Sequence, residues 1–194
     1  MINNNDRYSQ QNIDAIAEHF RAIMELLGED TSREGLQKTP QRAARALLYN
    51  TYGYEQDPAE ILHSAIFSHP GSEIVVVKNI EFYSLCEHHI LPFFGTISVG
   101  YIPDGKIVGL SKIARIVNTY ARRLQVQERL TSQICDLLSS ELSSKGVIVH
   151  CQAQHLCMKM RGVEKQNSST TTLQYQGAFS DINLRNEFLA LIKE

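Results

Sequence analysis

The sequence has no long apolar run. None of its segments approaches the roughly 20 consecutive apolar residues that a helix needs to cross a bilayer, and the opening MINNNDRYSQQN lacks the apolar stretch of a secretory signal. We therefore expect a cytoplasmic protein without a membrane partner. Internal repeats and low-complexity segments are also missing. A chain of 194 residues then suits one domain, with or without a helical extension.

A charge excess of either sign is missing too. The formal net charge is −2, so general adhesion to nucleic acid is not expected. Any anion must therefore be bound by a local cluster of basic residues. With 43% hydrophobic and 21% charged residues, the composition is that of an ordinary globular protein with a core.

Cysteine is scarce. In a reducing compartment the four cysteines are first interpreted as metal ligands, nucleophiles or small core residues, and only then as disulfide partners. Cys135 falls among the apolar positions of QICDLL, which predicts a core position. We expect His150 and Cys151 to be packed in the core as well. The two cysteines that remain are Cys86 and Cys157.

The N-terminal third is predicted to be helical. Apolar residues over 13–27 recur at spacings of three and four, and Gly28 follows as a stop signal. A second helix is predicted over 39–52, with Thr39 as its cap and Pro40 at its first position.

The rest of the chain alternates between strand and helix patterns. The predicted strands are 73–84, 95–102, 146–160 and 170–176. The turn at 103–105 leads into a returning strand, KIVGL, after which Ser111 is predicted to cap a long helix. A break near 124–127 separates it from a second long helix, and a short helix follows the last strand. We expect an α+β fold in which an antiparallel sheet is backed by two long helices, with an N-terminal helical arm over 1–70 and a catalytic domain over 71–194.

The segment SLCEHHILPFFG carries the first chemical signal. Cys86 and His89 form a C-x-x-H pair, a spacing that lets one tight turn aim both side chains at a single metal ion. The segment HCQAQHLCMKM supplies partners. Alternate residues of a strand share a face, so His155 and Cys157 are predicted to point the same way, about 7 Å apart. One of them is expected to bind the metal while the other acts beside it.

A metal-free interpretation competes with this one. A histidine and a cysteine on a strand face are more often packed core residues than ligands, and C-x-x-H alone is a weak signal. A closed structural zinc site usually has two compact ligand pairs. A second compact pair is missing here, which favours three protein ligands with a solvent molecule in the fourth position.

Two further clusters suggest anion and base recognition. In GLSKIARI, Ser111 at a helix start could form a phosphate site with Lys112 and Arg115. Taken alone, however, this segment favours a capped helix with solvated basic side chains. The same caution applies to Arg42 and Arg45 in TPQRAARAL and to Arg161 in MRGVEK.

The segment LQVQERL lies at the predicted helix break. There, a carboxylate at Glu128 beside the amide of Gln127 could accept hydrogen bonds from N1–H and the 2-amino group of guanine. Glu128 would also favour the N-terminal end of a helix dipole, and both interpretations can hold together.

Taken together, the motifs closely resemble GTP cyclohydrolase I. They are TSREGLQKTPQRAAR, SLCEHHILPFFG, YIPDGKIVGLSKIARIV, ARRLQVQERLT, QHLCMKMRGV and NSSTTT, in this order over about residues 31–194. The resemblance implies a tunnelling-fold enzyme that converts GTP to 7,8-dihydroneopterin triphosphate and formate. It also implies a ring-stacked homodecamer with active sites between subunits.

The resemblance further implies a role for each matching residue. The implied Zn²⁺ ligands are Cys86, His89 and Cys157, and the implied proton-transfer residues are His88 and His155. The implied substrate contacts are Gln127 and Glu128 at the guanine, Ser111 at the ribose, and Lys112, Arg115, Arg42 and Arg161 at the triphosphate.

Three rival functions stay open. A zinc-stabilised binding module would need a fourth protein ligand, for which His88 or His155 would have to fold inward. A zinc deaminase would carry an H-x-E motif with P-C-x-x-C, which the sequence lacks. A divergent tunnelling-fold relative could use another purine or stop at a ring-opened intermediate.

Overall fold

The computed structural model describes residues 9–193, so most of the polar opening segment lies outside the described residues. The chain forms two compact units, with the boundary between Thr51 and Tyr52. The smaller unit contains α1 (Gln10–Leu26) and α2 (Thr39–Asn50), which confirms the two predicted helices. Their apolar faces pack together around a small buried core, formed by Ile13, Ala17 and Ala44.

The start of α2 differs from the prediction by one position. Lys38 is the N-cap and makes no side-chain capping hydrogen bond, whereas Thr39 is the first helical residue and donates from its hydroxyl to the carbonyl of Gly35 at 3.2 Å. The predicted cap at Thr39 is therefore wrong. Pro40 still lies in the first turn, where its missing N–H leaves no helical hydrogen bond unmade.

The larger unit contains the remaining elements. In chain order they are a 3₁₀ turn (Tyr52–Glu55), α3 (Pro58–His63), β1 (Ile66–Ser68), β2 (Val75–Cys86), β3 (Pro92–Pro103), β4 (Lys106–Val108), α4 (Leu110–Ala121), β5 (Leu124–Gln125), α5 (Gln127–Glu141), β6 (Ser144–His155), α6 (Leu156–Lys159), β7 (Thr170–Gly177), a 3₁₀ turn (Ala178–Ser180) and α7 (Ile182–Ile192). Leu62 of α3 is fully buried in the core of this unit. The compact unit thus begins ahead of the predicted boundary between residues 70 and 71.

A five-stranded sheet forms the centre of the larger unit, in the order β5-β2-β3-β6-β7. Its long strands pair antiparallel, and the short β5 pairs parallel with the end of β2. Helices α4 and α5 cover one face with apolar side chains. The fully buried residues of this core include Phe82, Phe93, Ile97, Ile113, Ile116, Leu130, Ile134 and Leu138. The predicted α+β class, with two long helices behind an antiparallel sheet, is confirmed.

A second, smaller hydrophobic core forms where α7 packs against the sheet. Phe188 of α7 packs with Phe179 in an edge-to-face pair whose ring centroids are 6.3 Å apart. Ile148 of β6 and Ile102 of β3 complete this cluster. The terminal helix is therefore held by apolar burial against the sheet.

Two local predictions in the larger unit are wrong, and a third is confirmed only in part. The strand predicted after Gly105 is present as the short β4, but it pairs with β1 in a separate two-stranded ladder. Gly109, not Ser111, is the N-cap of α4. The long strand ends at His155 and not at residue 160, so Cys157 lies on the helical turn α6 and does not share a strand face with His155. Within residues 9–193 no helix has both the length and the apolar character needed to span a bilayer.

Candidate metal centre and active site

The turn between β2 and β3 presents two of the predicted ligands together. The carbonyl of Cys86 accepts hydrogen bonds from the N–H groups of His89 at 3.3 Å and Ile90 at 2.8 Å, which closes the turn. Ile90 adopts a positive φ of 55°, so the chain reverses sharply at this point. As a result, Sγ of Cys86 and Nδ1 of His89 lie 3.9 Å apart.

The third predicted ligand reaches this turn through the pairing of β3 with β6. Phe93 at the start of β3 lies opposite His155 at the end of β6, so the residues after His155 meet the turn before β3. The structure therefore brings Cys157 to the other two. The ligand atoms of Cys86, His89 and Cys157 all lie within 4.8 Å of one another.

These distances and donors fit a tetrahedral Zn²⁺ site. Zn–S bonds near 2.3 Å and Zn–N bonds near 2.0 Å would place tetrahedral sulfur and nitrogen ligands about 3.6 Å apart, close to the 3.9 Å between Cys86 and His89. Burial and the neighbouring Cys86 thiol raise the pKa of Cys157, and the Arg161 charge opposes this increase. A divalent cation at the centre would offset the repulsion between the two thiolates.

His88 and His155 lie beside the cluster but are not among its three ligands. Nδ1 of His88 is 3.8 Å from Sγ of Cys86, and its side chain is mostly exposed. His155 is half-buried, and its ring stacks on that of Phe93 with a centroid distance of 4.7 Å and an interplanar angle of 2°. Burial lowers the pKa of His155, and the Glu128 carboxylate acts in the opposite direction.

Gln127 begins α5 and is almost fully buried, at 1% exposure. Its Oε1 lies 2.8 Å from Nε2 of His155, and its Nε2 donates to the carbonyl oxygens of Cys151 and Thr170. The predicted contact of Gln127 with a guanine stays a prediction, and here its side-chain amide is hydrogen-bonded within the chain. Glu128, the next residue, is exposed.

The predicted anion-binding residues lie on separate elements. Ser111, Lys112 and Arg115 occupy the first turns of α4, where Lys112 N–H donates to the Gly109 carbonyl at 2.8 Å. Within residues 9–193, no hydrogen bond or ion pair joins these three side chains to the metal cluster. Arg161 follows α6 and is close enough to Cys157 to affect its pKa. Arg42 is exposed on α2 of the smaller unit.

Sequence reasoning missed an ion pair that supports the metal turn. Glu87, between the ligands Cys86 and His89, pairs with Arg129 of α5. Arg129 also donates from Nε to Oε1 of Gln125 at 2.9 Å, while the Gln125 carbonyl accepts from the N–H of Glu87 at 3.0 Å. The sequence signal was the acidic residue inside the C-x-x-H motif, but only the tertiary structure identifies its partner.

A family model described as GTP cyclohydrolase I matches residues 16–193, almost the whole chain. The chain belongs to the GTP cyclohydrolase I family. The resemblance predicted from the motifs is thereby confirmed, and the α+β arrangement described above is the tunnelling fold that this family implied.

Two relatives named GTP cyclohydrolase 1 support the assignment to the GTP cyclohydrolase I family. The chain is 54% identical over 182 residues to a GTP cyclohydrolase 1 of Bacteroides thetaiotaomicron, an alignment that covers 94% of this chain and 93% of the relative. It is also 54% identical over 177 residues to a GTP cyclohydrolase 1 of Porphyromonas gingivalis, covering 91% and 92%. Among solved structures, an archaeosine synthase QueF-Like in the apo form has a TM-score of 0.44 and 18% identity, covering 54% of this chain and 94% of that one.

Proposed function

We propose that this protein hydrolyses the purine ring of GTP, releases formate and forms 7,8-dihydroneopterin triphosphate, the first step of pterin and tetrahydrofolate biosynthesis. The observation that carries the proposal is the convergence of Cys86, His89 and Cys157 beside His155, in a chain that belongs to the GTP cyclohydrolase I family. The cofactor is Zn²⁺, which suits a site of two thiolates and one imidazole.

The three ligands define the metal chemistry. Among the residues described, the cluster offers three ligand atoms from one chain, which supports a site with one position left for solvent rather than a closed structural site. When bound in such a site, Zn²⁺ lowers the pKa of a coordinated water to about 7 and makes it a nucleophile at neutral pH. C8 of guanine is a weak electrophile, so it requires a nucleophile of this kind.

His155 provides the proton that the ring opening requires. Addition at C8 moves electrons onto N7, which must be protonated before the ring can open, and an imidazolium ion held beside the metal is suited to this transfer. His88 and Ser111 serve the later steps on the ribose, which must open and rearrange before the pterin ring closes. His88 is mostly exposed, which suits a group that meets the sugar.

The remaining residues bind the substrate. The exposed carboxylate of Glu128 lies near His155, where it accepts from N1–H and the 2-amino group of guanine, and Gln127 lies beside it. The triphosphate does not react, but its binding holds the base against the metal, which is how remote contacts raise a rate. The triphosphate ligands are Lys112, Arg115, Arg161 and Arg42. The enzyme acts in the cytoplasm as a homodecamer, with active sites between subunits.

The decisive experiment incubates the zinc-loaded protein with GTP and measures both formate and pterin fluorescence. We expect both products. Cys157→Ser should lose zinc and both products together, whereas the matched variant Cys135→Ser should retain them because Cys135 is buried away from the ligand cluster. His155→Ala should keep zinc but fail at or soon after ring opening. A wild-type protein that binds zinc and yields neither product would refute the proposed function.

Guanine recognition by Glu128 is tested by Glu128→Gln. This change removes the charge that accepts two hydrogen bonds from the base, so we expect KM for GTP to rise about 10-fold or more, equivalent to about 1.4 kcal/mol of lost binding free energy. The control is Glu141→Gln, an exposed residue near the far end of the same helix. If KM for GTP is the same in both variants and in the wild type, Glu128 does not contact the base.

A further inference from the structure

We propose that Gln127 is a positioning residue that fixes His155 in the Nε2–H tautomer, so that Nδ1 of His155 is the nitrogen that exchanges a proton with the substrate. The part that concerns the substrate rests on the proposed function, whereas the tautomer itself does not.

Two backbone carbonyls determine which way that amide faces. One nitrogen of Gln127, Nε2, lies 3.2 Å from the carbonyl oxygen of Cys151 and 3.0 Å from that of Thr170. A carbonyl oxygen can only accept a hydrogen bond, so the NH₂ group must face these two atoms. The flipped amide would place its oxygen against both carbonyls in a buried site. Oε1 of Gln127 therefore faces His155.

The amide orientation in turn dictates the proton on His155. Oε1 of Gln127 can only accept, and it lies 2.8 Å from Nε2 of His155, so this nitrogen must carry a hydrogen. In the neutral imidazole the lone pair is then on Nδ1. The opposite tautomer would place two lone pairs at hydrogen-bond distance with Gln127 only 1% exposed, and an unsatisfied pair there is costly.

The surrounding side chains hold both partners in place. The ring of Phe93, which is fully buried, stacks parallel to that of His155 and restricts its rotation. Thr172 accepts from Nε2 of Gln127 at 3.3 Å and is itself 2.6 Å from the hydroxyl of Thr131. Within the part of the chain that the structure describes, Nδ1 of His155 has no hydrogen-bond partner, so it is the nitrogen left for the substrate.

The proton transfer follows from this arrangement. The imidazolium form of His155 carries hydrogens on both nitrogens. Its Nδ1–H bond breaks as the N–H bond to the substrate nitrogen forms, and the electron pair of the broken bond stays on Nδ1. The product is the neutral Nε2–H tautomer, which Gln127 already stabilises. The donor ring therefore needs no reorientation during the step.

Solid-state NMR of protein labelled with ¹⁵N and ¹³C at histidine tests the tautomer directly. The His155 signals are identified by their loss in His155→Asn, and spectra are recorded at a pH where the imidazole is neutral. We expect the Nε2–H tautomer in the wild type and a mixture of both tautomers in Gln127→Met, which has a similar length but no acceptor. The control Thr172→Val removes one acceptor of the Gln127 amide but leaves both backbone carbonyl acceptors, so the tautomer should be unchanged.

Kinetics separate this role from substrate binding. Loss of a group that orients a reacting histidine is expected to lower kcat about 10- to 100-fold in Gln127→Met, a larger effect than any rise in KM for GTP from the lost guanine neighbour. A wild-type spectrum showing the Nδ1–H tautomer, or a Gln127→Met spectrum like that of the wild type, would overturn the proposal. If Gln127→Met does not fold, the wild-type spectrum still decides. A protein that shows the expected tautomers but does not turn over GTP would refute the proposed function and not the positioning of His155.

Discussion

The four cysteines have two distinct environments. Cys135 and Cys151 are fully buried, and burial raises the pKa of Cys135 to about 11 and that of Cys151 to about 12. Cys86 and Cys157 belong to the ligand cluster, and Cys157 is partly exposed. Because only the thiolate is nucleophilic, the same reagent should distinguish the two environments.

Alkylation by iodoacetamide at pH 8 is expected to follow this division. A thiol with a pKa of 11 or 12 is ionised to only about 0.1% or 0.01% at pH 8, so Cys135 and Cys151 should remain unlabelled in the folded protein. Cys157 should be labelled after treatment with a chelator and protected when Zn²⁺ is present, as read by peptide mass spectrometry. Urea-unfolded protein, in which all four cysteines react, is the control. Equal labelling of Cys157 with and without Zn²⁺ would contradict the metal site.

At the scale of elements, the pairing of β3 with β6 positions the site. Gly95 of β3 lies opposite Ala153, and an added Cβ there would be 1.9 Å from the carbonyl oxygen of Gln152 and 2.7 Å from Cα of Ala153. Both are backbone atoms of the neighbouring strand and cannot move aside independently. The position therefore requires glycine because of close strand approach.

Gly95→Ala is expected to lower the free energy of unfolding by about 3 kcal/mol, since the clash must separate two central strands. Urea unfolding followed by circular dichroism measures the effect. Gly35→Ala is the control, because an added Cβ at Gly35 meets no atom within 4 Å. If the two variants unfold at the same urea concentration, the β3–β6 spacing is not as tight as described.

The sequence pattern predicted some boundaries of the helices and strands and missed others. Apolar spacing predicted both long helices and the break between them, because α4 and α5 bury one continuous face against the sheet. It did not locate the end of β6. In the segment after His155, the pattern of residues suits a strand as well as a helical turn. The α4 cap was misassigned because Ser111 is a common capping residue, whereas Gly109 caps through its backbone alone.

At the scale of the whole molecule, the candidate site draws on parts far apart in the sequence. The motifs predicted Cys86, His89 and Cys157 as one cluster, and the structure brings them together. They could not predict that Gln127 contacts His155, since this depends on how α5 packs against β6. Nor could they identify Arg129 as the partner of Glu87, because local spacing carries no information on contacts between distant elements.

The proposed homodecamer can be tested by light scattering coupled to size-exclusion chromatography. If the active sites lie between subunits, the active species should have about ten times the mass of one chain, and dilution that dissociates it should abolish GTP turnover. A monomer with full activity would contradict both the assembly and the shared sites.

Cys86 lies at the end of β2 and Cys157 lies on α6, so the two ligands are far apart in the sequence. Binding of one ion to both would therefore affect the stability of the fold. A cation bound to both sulfurs would hold two distant segments together in the native state and would be released when the chain unfolds and the ligand cluster is lost. Such binding would stabilise the native state by mass action, by about 2.7 kcal/mol when the free ion is present at 100 times its Kd. Melting temperature should then rise with zinc concentration, so that the supply of the ion would govern the lifetime of the folded enzyme as well as its chemistry.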